Sequence, residues 1–140
     1  MNIVDKLLEK PCYIIDFLPQ QVTKDSRGQF FEVEDYLLKN FERYGLKDRI
    51  IRIMLKMMCY YSVSINNEHI EQPSPDDIAE IIEAVVRNHL GCVYVLFDSK
   101  NALLQFDGDC LHMSVYNPDE EMCEIFEKIA ISEGMFWRKA

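Results

Sequence analysis

Glycine, positive charge and paired cysteines are all scarce in this 140-residue chain, and each scarcity excludes something. Only five glycines are present. No G-x-x-x-x-G-K-[ST], G-x-G-x-x-G or G-x-S-x-G pattern occurs, which leaves no phosphate-cradling loop and no nucleophile elbow. Lys and Arg total 15 against 24 Asp and Glu, for a net charge of −9. A binder of the phosphate backbone needs clustered cations, so nucleic acid is not an expected partner. No apolar run approaches the ~20 residues that span a bilayer. The start, Met1-Asn2-Ile3-Val4-Asp5-Lys6, lacks the basic and apolar regions of a signal peptide, so the expectation is a cytoplasmic protein without a membrane partner. Cys12, Cys59, Cys92, Cys110 and Cys123 are odd in number, widely spaced and without a C-x-x-C pair. They read as small buried hydrophobes kept reduced, not as a disulfide framework or a zinc ribbon.

What is present is a core-forming chain, 49% hydrophobic and 28% charged. It shows no linker, low-complexity tract or shift in composition, so residues 1–140 read as a single domain. The second half is the more regular. Ser74-Pro75-Asp76-Asp77 supplies a hydroxyl N-cap, a proline at the first helical position and acids in the first turn. Ile78, Ile81, Ile82, Val85 and Val86 follow at helical spacing until Gly91. Asn117-Pro118-Asp119-Glu120 repeats that opening, with Met122, Ile125, Phe126, Ile129 and Ala130 as the stripe and Gly134 as the stop. Strand-like runs precede these helices (Tyr60 to Ile65, Leu111 to Tyr116) and follow them (Cys92 to Phe97, Met135 to Arg138). The pattern raises a β-α-β duplication, against the plainer reading that capped helices resemble one another.

Turn sequences at Asp98-Ser99-Lys100-Asn101 and Asp107-Gly108-Asp109-Cys110 predict two antiparallel hairpins. Tight closure pairs residues whose numbers sum to 199 and 217. One face then carries Val93, Val95, Phe97, Ala102, Leu104, Phe106, Leu111, Met113 and Val115, all apolar. A one-residue slip would bring Gln105, His112 or Ser114 onto it. In the first half, Asn2 caps a short helix ending before Pro11, and Cys12 to Leu18 reads as a strand stopped by Pro19. Residues 19–29 read as a loop. Phe30, Val33, Leu37, Phe41 and Tyr44 favour a helix to Gly45, although Phe31-Glu32-Val33-Glu34 has strand-like alternation. Leu46, Ile50, Ile53, Met54, Met57 and Met58 mark a further helix. The expected class is α+β: a largely antiparallel sheet with helices packed mainly on one face.

The reverse of the predicted meander presents Tyr94, Leu96, Leu103, Gln105, His112, Ser114 and Tyr116. Aromatic and hydrogen-bonding side chains mixed in this way suit a ligand or partner surface built on Tyr94, Gln105, His112, Ser114 and Tyr116; the bland alternative is that N-terminal helices cover it. Cys110 and His112 share a side of one strand, but His69 and His89 lie elsewhere and the calcium-loop pattern from Asp107 fails, so no metal is expected. Adjacent strand positions do not make Cys110 and His112 an activated nucleophile. Asp16 is an acid inside an apolar run, either a buried acid–base group or one held by hydrogen bonds. No cofactor is implied.

Charge is uneven along the chain. Residues 39–56 hold six cations against two acids, net +4, and residues 66–127 hold fourteen acids against Arg87 and Lys100, net −12. Solvated helix faces usually explain such runs, yet an acidic field also speeds encounter with a basic partner. Lys10 to Pro19, Tyr116 to Glu121 and Ser132 to Phe136 resemble segments of small bacterial proteins that carry no assigned function. Size and acidity are also similar to those of toxin-neutralising immunity proteins, an analogy of composition alone. The functional expectation is a non-enzymatic protein-binding or regulatory module. Its acidic surface at Asp119, Glu120 and Glu121 would meet another, basic protein or a second copy. The alternative is a small-molecule-binding protein or enzyme using the face around His112.

Overall fold

The computed structural model describes residues 2–65, 70–88, 91–109 and 111–140, the side chains of residues 26 and 27 apart. Cys110, His69 and His89 lie outside the described residues. The elements are α1 (Ile3–Leu7), β1 (Cys12–Asp16), a short 3-10 turn (Lys24–Ser26), α2 (Arg27–Lys39), α3 (Leu46–Met58), β2 (Val63–Ile65), β3 (Ile70–Glu71), α4 (Pro75–Asn88), β4 (Cys92–Phe97), β5 (Ala102–Asp107), β6 (Met113–Tyr116), α5 (Glu120–Ser132) and β7 (Phe136–Lys139). The strands form one sheet, β3-β2-β4-β5-β6-β1-β7, with every neighbouring pair antiparallel. The fold is α+β.

Local chemistry explains most of the boundaries. Asn2 Oδ1 accepts the Asp5 N–H at 2.9 Å and opens α1. Ser74 and Asp77 cap α4 reciprocally, each side chain accepting the other's backbone N–H, at 3.1 and 2.9 Å. At the end of α5, the Gly134 and Met135 N–H groups bond back to the Ile131 and Ala130 carbonyls, and Gly134 takes φ +73°. That left-handed residue is what glycine supplies at a helix end. Three expected helix boundaries move. The N-cap of α5 is Asp119, whose side chain accepts the Met122 N–H, so Pro118 precedes the helix and does not occupy its first turn. The helix read as running to Gly45 ends at Lys39, where Asn40 Nδ2 bonds back to the Tyr36 carbonyl and competes with further helical bonding. Its start lies at Arg27, inside the segment read as a loop.

All nine residues of the expected apolar face are buried in one core cluster, together with α3, α4 and α5 side chains such as Ile53, Ile82 and Phe126. Helices α3, α4 and α5 thus occupy one face of the sheet. Strands β4 and β5 pair as expected, Val95 opposite Leu104. Strands β5 and β6 pair with Leu104 opposite Val115, a sum of 219 and not 217. The reason lies in the turn: Asp109 N–H bonds to Asp107 Oδ1, and Gly108 N–H bonds to the Gly91 carbonyl. Those residues are committed to local and neighbouring bonds, so the loop is two residues longer than a tight hairpin. A shift of two preserves which side each residue faces, and the core face survives.

The strand–helix–strand units take another form than expected. Strand β2 is antiparallel to β4 and lies beside it, so the first unit is not strand 60–65, helix, strand 92–97. Strands β3 and β4 are parallel to one another with β2 between them, joined by α4. Strands β6 and β7 are likewise parallel with β1 between them, joined by α5. Each half of the sheet is therefore a split β-α-β unit, with β5 between the two.

Candidate functional site

On the reverse face of the sheet, Val4 and Leu7 of α1 pack on Leu103 with Tyr94, Leu96 and Tyr116 around them. Pairing aligns Tyr94, Gln105, Ser114, Ile14 and Arg138 in one row across five strands. Four of the five sequence-predicted residues, Tyr94, Gln105, Ser114 and Tyr116, therefore share a half-buried face. The Tyr116 hydroxyl donates to Gln105 Oε1 at 3.5 Å. The Cys92 thiol and burial push the Tyr94 phenol up to about 12, and burial with the Cys12 thiol raises Tyr116. Both phenols stay protonated at neutral pH and serve as packing and donor groups beside α1.

His112 is separate from them. It precedes β6 instead of lying within it, because the longer loop delays pairing until Met113. One further step of the β1–β6 register brings it opposite Asp16. There a pocket of about 290 Å³ opens at the end of the sheet, between β1, the approach to β6, β7 and α2. Its polar walls are Asp16, His112, Arg138, Glu34, Gln20 and Gln21. Its apolar walls are Phe17, Leu18, Val22, Phe30, Phe31 and Leu111. Strand β1 ends at Asp16, two residues short of the expected Leu18. Phe17, Leu18, Gln20, Gln21 and Val22 of the segment that follows line the pocket together with Phe30, Phe31 and Glu34 of α2.

The floor of this pocket is an ion pair. Asp16 is 9% exposed; its Oδ1 accepts the Phe17 N–H at 2.8 Å, and its Oδ2 accepts from Arg138 Nη2 at 3.2 Å. Asp16 is thus the hydrogen-bonded kind of buried acid. Arg138 Nε is buried and has no acceptor among the described residues, so the guanidinium is only partly satisfied. Arg138 lies 122 residues from Asp16, and sequence reasoning missed it. The signal available was one arginine in a terminal strand and one acid in an apolar strand.

The acidic residues singled out from the sequence are mostly committed elsewhere. Asp119 caps α5 and accepts from Lys100 Nζ at 3.0 Å. Glu121 accepts from the Tyr61 hydroxyl at 2.9 Å. Glu120 is exposed and makes no ion pair among the described residues. The basic stretch is matched internally: Lys47 meets Glu42 and Glu83, and Arg52 and Lys56 meet Glu133 at 2.7 Å each. A second hollow, about 520 Å³, is lined by Lys39, Arg43 and Arg87. Lys39 and Arg87 stand in the last turns of α2 and α4, where cations complement the helix dipole without any ligand.

Among the described residues, no three His, Cys, Asp or Glu side chains gather to hold a metal ion, and no helix is long and apolar enough to cross a membrane. Comparison with protein-family models, with curated proteins and with solved structures returned no match.

Proposed function

We propose that this chain is a small-molecule-binding protein whose site is the pocket over the Asp16–Arg138 pair. One observation carries the reading: a buried acid paired with a half-buried arginine, and a ring nitrogen donor or acceptor at His112, converge with aromatic walls in a single concavity. Pockets of this kind combine apolar area, which supplies affinity, with a few fixed polar groups that orient the ligand. The volume of about 290 Å³ suits a ring with a short substituent. The test is a thermal-shift screen of aromatic fragments on wild-type protein and on Phe30→Ala. The reading expects hits that raise the melting temperature of wild type and lose that effect in the variant. Hits that stabilise both proteins equally would place binding elsewhere, and a screen without hits would count against any such pocket.

The acidic-surface reading stands second, on a different stretch than expected. Glu120, Glu124 and Glu127 are exposed on α5 at helical spacing, with Ile131, 60% exposed, continuing the stripe. A basic protein partner fits that stripe, and a salt-sensitive complex lost on reversal of Glu124 and Glu127 would support it.

A further inference from the structure

Resting on the pocket reading above, we infer that the ligand is a small organic cation with an apolar body, a primary amine on an aromatic frame. The pocket does not end at its polar floor. Phe17, Leu18, Val22 and Phe30 also line an adjoining groove of about 250 Å³ that runs on to Val33 along α2. The groove is almost wholly apolar, so one end of the site binds hydrocarbon and the other binds a polar head.

The sign of that head follows from the charges that face it. Asp16 and Arg138 cancel one another as an ion pair. Glu34 is the charge left over: it is half-buried on α2, lines the pocket and makes no ion pair among the described residues. An anionic head would meet that carboxylate in a protein of net charge −9. It would gain little from Arg138, which gives Nη2 to Asp16 and keeps Nε buried. An ammonium head meets the opposite conditions. Glu34 accepts its N–H groups, and Phe17, Phe30 and Phe31 line the same pocket, where aromatic rings attract a cation. The hydrocarbon body then lies in the groove between Val22, Phe30 and Val33.

The test is calorimetric titration of the full chain, wild type and Glu34→Gln, with three naphthalene probes of equal chain length ending in an amine, an alcohol or a carboxylate. No described side chain of α2 is fully buried, so the substitution leaves the core untouched, and a thermal melt checks this. Wild type is expected to bind the amine roughly tenfold more tightly than the alcohol, the scale of a hydrogen bond to a charged partner, and the carboxylate most weakly. In Glu34→Gln the amine-to-alcohol ratio falls towards unity. Equal binding of amine and alcohol by wild type, or an unchanged ratio in the variant, overturns the cation assignment and leaves the pocket standing. If none of the three probes binds, both readings fall.

Discussion

Replacement of Asp119 separates a structural role from a partner-binding one, and its cost can be worked out from two contacts. Oδ1 accepts the Met122 N–H at 2.9 Å, and Oδ2 accepts from Lys100 Nζ at 3.0 Å. Asp119→Ala removes both. Loss of an N-cap acceptor costs about 1 kcal/mol, and an exposed ion pair contributes about 0.5 kcal/mol, so the expected loss is about 1.5 kcal/mol. Asp119→Asn keeps the cap and loses only the charge, for about 0.5 kcal/mol. Urea unfolding at neutral pH, with unchanged slope, should rank wild type above Asn above Ala. The Met122 N–H and then Lys100 hold the Asp119 carboxyl below the usual aspartate range. Its charge therefore stabilises fully above the unfolded value and fades as pH falls through the lower folded one. Wild type and Asp119→Asn should converge in acid. An Asn variant as unstable as the Ala variant, or a gap that persists on acidification, would refute the capping argument.

Two further substitutions test the framework of the site and of the core. Asp16→Asn strands Arg138 and should cost about 2–4 kcal/mol, somewhat below a fully buried pair; the double variant with Arg138→Met should regain part of it, as denaturant midpoints will show. Burial pushes the Glu133 carboxyl up, but hydrogen bonds from Lys56 and Arg52 outweigh it and hold it below the usual glutamate range. Glu133→Gln should cost about 1–2 kcal/mol at neutral pH. That deficit should shrink as pH drops through the folded value, because the charge is then lost in wild type too.

The meander was legible because alternation over three strands puts nine apolar residues on one side, and that signal is strong. The pairing of β4 with β5 is as expected, but that of β5 with β6 is two residues out because periodicity is blind to an even shift, and Asp107, Gly108 and Asp109 look like a tight turn while bonding to one another and to Gly91. Helix α2 misled for a related reason. Phe30, Val33, Leu37, Phe41 and Tyr44 have core-like spacing, yet Val33 is 49% exposed at the edge of a groove, and Tyr44, beyond the end of the helix, is 43% exposed. Of the pocket, Asp16 and His112 stood out as polar groups in apolar surroundings. Their meeting with Arg138 and Glu34 depends on β1 inserting between β6 and β7, a long-range pairing that no local pattern encodes.

Backbone amide shifts of the isotopically labelled chain, titrated with the naphthalene amine, test the site most directly. The account predicts saturable shifts at Phe17, Val22, Phe30, Leu111 and His112, with β2, β3 and the outer face of α5 silent. Shifts centred on Glu124 and Ile131, or spread evenly along the chain, would contradict it.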